Sequence, residues 1–195
     1  MARIEPIPYD ELDPDLRQRY DAGSAEGRYS MTVPLQIYAY ARTYAVAGDE
    51  AYRLTFRQGL LGARLEELLR IRSAQLNGCD PCMSSRKDDS ISDEDVACML
   101  TNLDDPTYSE RERRALAFLD QFNRDHHAIG DDTFRHLAEV FTIAEIVELG
   151  SICSRFIGAH RWTHVLDIFG DSEPALRYSP DQVNASHEVS ASARA

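Results

Sequence analysis

Apolar residues recur along this chain at intervals of three and four, and strict alternation is nearly absent, so the pattern predicts helices throughout. The first 30 residues form an N-terminal arm, with prolines at 6, 8 and 14 and the polar run 21–27, and leave room for a short helix over 11–21. A second helix is expected to begin after Thr32, with Pro34 in its first turn, and to end near Ala47 at Gly48. Another follows over 49–59. In the next segment Leu65, Leu68, Leu69 and Leu76 fall on one face, and Asn77-Gly78 stops the helix because glycine accepts the left-handed C-cap. A new helix then opens across Cys79-Asp80-Pro81-Cys82.

Three later helix starts carry a capping box: Ser92 with Asp95, Ser109 with Glu112, and Thr142 with Glu145. The helix after Ser109 should bury Ala115, Phe118, Leu119 and Phe122. A shorter one should bury Phe134, Leu137 and Ala138. The helix after Thr142 is long, and its stripe runs through Ile146, Leu149, Cys153, Phe156 and Ile157 to His160 and His164 at i, i+4. The expectation is an all-α helical bundle of about eight helices, one domain over 1–178. From 179 to 195 the chain becomes small and polar, as a mobile tail does.

Charge narrows the function. With 21 Lys and Arg against 33 Asp and Glu the net charge is −12, which repels phosphate backbones and anionic lipid surfaces alike. Neither nucleic acid nor membrane is therefore expected as a partner. No apolar run reaches the ~18 residues of a membrane-spanning helix, and the first residues lack a signal-peptide pattern. These features point to the cytoplasm, where four cysteines do not make a structural disulfide framework.

Cys79 and Cys82 therefore need a chemical explanation. With Asp80 as N-cap and Pro81 at the first helical position, Cys82 falls in the first turn, where backbone N–H groups favour a thiolate. Arg86, four residues on, would add a fixed positive charge on the same helix face. Cys79 lies within disulfide reach. The arrangement suits Cys82 as nucleophile and Cys79 as resolving thiol. Two other uses stand beside it: an inert pair, or a zinc site, for which four ligands are usual and no second pair has the spacing. Cys98 and Cys153 read as small core residues. His160 and His164 could ligate a metal, but the sequence offers no evident third ligand, and two histidines at a partly exposed helix end are common. His126-His127 reads as a loop at a helix end.

The run Leu65-Glu66-Glu67-Leu68-Leu69-Arg70-Ile71-Arg72, followed by Gly78-Cys79-Asp80-Pro81-Cys82, resembles the carboxymuconolactone decarboxylase-like superfamily and, within it, the alkylhydroperoxidase D branch. The opening Arg3-Ile4-Glu5-Pro6, Leu12-Asp13-Pro14 and the stretch 142–149 are similar to the same family. The resemblance implies an all-helical subunit in a homo-oligomer, commonly a trimer or hexamer. It implies peroxide reduction or disulfide-reductase chemistry, with a thiol or dithiol as electron donor and no cofactor. By position it implies Cys82 as attacking thiol, Cys79 as resolving thiol and Glu67 as base of a proton relay. Glu67 shares a face with Ile71 and Ala74, so partial burial could raise its pKa; a solvated charge beside Glu66 is the alternative.

One position departs from the pattern. The family's relay histidine is Arg86 here, and a guanidinium cannot exchange protons near neutral pH. His160 and His164 are the candidates to replace it. Two other functions remain open. One is a cofactor-free lyase on a small organic acid, which would need a basic pocket from Arg70, Arg72 or Arg86. The other is a non-enzymatic redox-sensing oligomer. The segment 33–41, rich in apolar and aromatic residues, could line a subunit interface or pack within the chain.

Overall fold

The computed structural model describes residues 2–168, and the expected tail over 179–195 lies outside them. The described residues form nine α-helices and three 3-10 turns, with no strand among them. They divide into two compact units, residues 2–53 with 163–168, and residues 54–162.

In the first unit, α1 (Pro14–Ala25) starts where Asp13 accepts hydrogen bonds from the amides of Asp15 and Leu16 at 3.0 and 3.3 Å. That cap and Pro14 at the first position set the start three residues later than expected, and the helix runs on into the polar stretch. Its Gly23 is packed so closely that a Cβ there would stand 2.5 Å from the Tyr29 ring. α2 (Val33–Tyr38) passes into a 3-10 turn at Ala39–Ala41, and α3 (Arg42–Thr55) follows. The break thus falls at 39–41 and not at Gly48, which lies inside α3 at a helix-interior cost of about 1 kcal/mol relative to alanine. Leu12, Leu16, Tyr20, Leu35 and Ala45 make this unit's core. Beside it Arg28 and Asp49 form a buried ion pair at 2.6 Å, and the Tyr29 hydroxyl donates to the same carboxylate.

The second unit is organised around α4 (Ala63–Leu76), whose residues Leu65 to Ile71 are all buried, a helix enclosed on every side. α5 (Asp80–Ser84), α6 (Asp93–Thr101) and α7 (Glu110–Arg124) pack against it. α8 (Asp131–Ala138) buries only Leu137; Phe134 and Ala138 are exposed, contrary to the expected pattern. α9 (Ile143–Val165) contributes Leu149, Ile152, Cys153, Phe156 and Ile157 to the core. All three capping boxes form: Ser92 with Asp95, Ser109 with Glu112, and Thr142 with Glu145.

Salt bridges lock α4 to its neighbours. Arg64 reaches Asp95 at 3.1 Å and Glu112 at 2.8 Å, and Arg72 holds Asp120 at 2.5 Å while donating to the Met99 carbonyl. At the other end Arg161 of α9 donates to Asn77 and to Asn123, tying α9 to the C-terminal ends of α4 and α7. Asn77 lies two residues before the cysteine pair and Arg161 one residue after His160, so these bonds bring the two regions close together.

Candidate active site

The chain leaves α4 through Asn77 and Gly78. Gly78 takes φ 67°, the left-handed conformation predicted for it, and turns the backbone directly into Cys79. Cys79 caps α5, so Asp80 is the first helical residue and Pro81 the second. The expected cap at Asp80 is displaced by one position, yet Cys82 still lies in the first turn. Cys79 and Cys82 are joined by a disulfide with their Cα atoms 5.2 Å apart. Cys79 is fully buried, whereas Cys82 is half-buried and is the more accessible sulfur.

α5 ends after five residues, with Ser85 in extended conformation. A helix this short adds little dipole to its first turn. Its early end also carries Arg86 off the helix. Arg86 donates to the carbonyls of Met83 and Ser85 and pairs with Asp93 at 2.7 Å; none of these bonds reaches a sulfur. The expected guanidinium one turn above Cys82 is therefore replaced by a loop brace.

Arg70 explains why the helix stops. Its guanidinium donates to the carbonyls of Cys82 and Ser85 at 2.5 and 2.8 Å, taking two acceptors that a longer α5 would use for its own amides. The same guanidinium holds Glu67 with two parallel bonds of 2.6 and 2.7 Å. Glu67 is buried, as its face predicted, and its Oε1 also accepts the backbone N–H of Lys87 at 2.8 Å. Both oxygens are thus committed. Glu67 orients Arg70, and Arg70 holds the loop that follows the cysteine pair, so the two residues anchor that loop.

The neighbouring carboxyl is different. Glu66 is buried, and desolvation pushes its pKa up to about 7, opposed by the Arg57 amide and by Arg155. Lys87 is buried as well, and desolvation followed by the nearby Arg70 pulls its ammonium down to about 8. Sequence reading selected Glu67 and missed Glu66, since both are acids on one helix and only tertiary burial separates them.

His160 completes the site. It is buried, and a ring nitrogen lies within 4.8 Å of both sulfurs. Its Nδ1 is 2.9 Å from the Ser73 hydroxyl of α4, which holds the ring in place beside the cysteine pair. Burial, with Arg70 adding to it, lowers the imidazole pKa to about 4, so the ring is neutral at pH 7. The second candidate, His164, is exposed and stands outside this group. Cys153 is enclosed in the core, where burial drives its thiol up to about 12; Cys98 is half-buried against the same core. Arg70, Arg72 and Arg86, the candidates for a basic pocket, are each paired with a carboxylate of the protein itself.

Residues 39–121 match the model of the carboxymuconolactone decarboxylase family, as the resemblance in sequence anticipated. Two solved structures share the all-helical fold. A protein of unknown function from Agrobacterium tumefaciens, described as a candidate AhpD antioxidant defence protein, is 23% identical with a TM-score of 0.57, over 71% of this chain and 96% of that one. An uncharacterised peroxidase-related protein from Silicibacter sp. TM1040 is 16% identical with a TM-score of 0.64, over 82% of this chain and 87% of that one. No curated protein matches the sequence.

Proposed function

We propose, taking the carboxymuconolactone decarboxylase family match over residues 39–121 as the premise, that this protein is a thiol-dependent peroxidase of the AhpD type. The observation that carries the reading is the disulfide-bonded pair with a buried, neutral imidazole beside both sulfurs. The names of the two structural neighbours, antioxidant and peroxidase-related, agree with it.

In the reduced protein Cys82 attacks the outer oxygen of a hydroperoxide. The O–O bond breaks, Cys82 becomes a sulfenic acid, and the thiol proton passes through His160 to the departing alkoxide. A ring with pKa about 4 holds that proton only briefly, which suits a relay. Cys79 then attacks the sulfenic sulfur and water leaves, giving the disulfide seen here. An external thiol or dithiol returns two electrons and two protons. His160 thus takes the role that Arg86 cannot perform, and Ser73 holds the imidazole in place.

The protein is further proposed to act as a homo-oligomer, a trimer or hexamer, in the cytoplasm. Ile143 and Val147, on the exposed side of α9, are 82% and 65% accessible, which supports burial against a second subunit. The function is tested by hydroperoxide-dependent turnover with dithiothreitol as donor. Turnover that needs Cys82 supports it; equal rates with Cys82→Ser contradict it.

A further inference from the structure

We propose that the reduced Cys79–Cys82 pair and His160 together bind a thiophilic divalent cation, zinc being the best fit, and that this cation and the disulfide exclude one another. The sequence supplied two thiols and no evident third ligand; the fold brings that ligand from α9.

The donor atoms of Cys79, Cys82 and His160 all lie within 4.8 Å of one another. Zinc takes sulfur at about 2.3 Å and imidazole nitrogen at about 2.0–2.1 Å, so two sulfurs on one tetrahedral ion sit roughly 3.8 Å apart and sulfur and nitrogen roughly 3.6 Å apart. Once the S–S bond is cut, the two sulfurs are free to separate toward those spacings, and Cys82, half-buried, is the one with room to turn. The two sulfurs and one imidazole are soft and borderline ligands, which select zinc over magnesium or calcium. The carboxylate of Glu67 is held by Arg70 and the Lys87 amide, and among the described residues no carboxylate joins the three donors.

The surroundings fit a ligand set as well. The Ser73 hydroxyl lies 2.9 Å from Nδ1 of His160, the kind of outer contact that orients a metal-binding imidazole. Arg161, one residue further, is pinned to Asn77 and Asn123, so α9 cannot carry the ring away from the loop. Two thiolates and a doubly charged cation sum to zero, which a buried site tolerates far better than free thiolates. A water or a substrate heteroatom fills the fourth position.

The chemistry balances without further reagents. On binding, the two thiols release two protons and each sulfur bonds to the ion. On oxidation, a hydroperoxide takes two electrons from the thiolates and two protons from solvent. The sulfurs join, an alcohol and a water form, and the cation leaves. The cation would therefore hold the reduced state in reserve, and peroxide would release it. This inference does not rest on catalytic turnover; a chain with no peroxidase activity would bind the ion just as well.

The test uses the full chain reduced with a phosphine, desalted without oxygen, and titrated with Zn²⁺ against a chromogenic chelator and with Co²⁺ by absorption. The expected result is one ion per chain, a thiolate-to-cobalt charge-transfer band, no such binding by the disulfide form, and release of the ion by one equivalent of hydroperoxide. Cys82→Ser should lose binding at least about 100-fold and His160→Gln at least about tenfold, while Cys98→Ser is unchanged. Wild-type protein before and after oxidation gives the same comparison on an unaltered chain. Binding that persists in the disulfide form or in Cys82→Ser, or an unchanged affinity in His160→Gln, overturns the proposal. So does a reduced protein that takes up no ion.

Discussion

Ser73 and His160 lie 87 residues apart in the chain and share a hydrogen bond of 2.9 Å. Ser73 is completely buried in the last turn of α4, and His160 is buried near the end of α9. The bond orients the ring beside the cysteine pair. Replacing Ser73 with alanine should therefore lower turnover about tenfold with a loss of roughly 1 kcal/mol in stability. Steady-state rates and urea unfolding of the variant measure both. An activity equal to wild type would mean that the ring needs no such guide.

Arg86 and His160 can be separated by substitution. Arg86 braces the loop through Met83, Ser85 and Asp93, so Arg86→His should change turnover by less than about threefold. His160→Gln removes the proposed proton relay and should lower turnover roughly 100-fold, the lower end of general acid–base catalysis. Rate measurements on the two variants side by side decide the matter; a larger loss at Arg86 would return the relay to that position.

Glu67 and Arg70 should act as one unit. Removing either leaves the other charge buried without its partner, which typically costs about 3–5 kcal/mol. Glu67→Gln and Arg70→Met should each destabilise strongly, and the double variant should lose much less than the sum. Urea unfolding of the three proteins completes this cycle. Simple additivity would show that the pair does not couple.

Two buried groups make opposite contributions to stability across the acidic range. His160 has a native pKa near 4 against an ordinary 6.5, so between those values the unfolded chain binds the extra proton. Its contribution is complete above pH 6.5 and fades as pH falls toward 4, an effect on the order of 3 kcal/mol. Glu66 has a native pKa near 7 against 4.5, so here the native chain holds the extra proton, and stability is lost as pH rises from 4.5 to 7. Glu66→Gln should accordingly gain on wild type over that interval, and His160→Gln should lose less than wild type on acidification from 6.5 to 4. Denaturation curves at half-unit steps of pH test both; profiles parallel to wild type would contradict them.

Much of the scaffold was legible in the sequence because its signals are local. Asn77-Gly78 stops α4, and the three capping boxes start their helices, since each depends on residues within one turn. The cysteine pair was legible for the same reason. Arg86 was misplaced because the spacing argument assumes a helix that continues, and Arg70 takes the carbonyls of Cys82 and Ser85 that such a helix would need. Glu66 escaped notice because burial alone distinguishes it from Glu67, and burial is a property of the fold. His160 and His164 looked equivalent at i, i+4, and only the packing of α9 against α4 puts the first inside and the second in solvent.

The central claim is that Cys79, Cys82 and His160 form one redox centre. It is tested most directly by adding less than one equivalent of hydroperoxide to reduced protein and mapping the oxidised sulfurs by mass spectrometry over time. Each peroxide consumed should produce one Cys79–Cys82 disulfide, with Cys98 and Cys153 untouched, and His160→Gln should slow the step roughly 100-fold. Oxidation that stops at a sulfinic acid on Cys82, or that falls mainly on Cys98, would contradict the account.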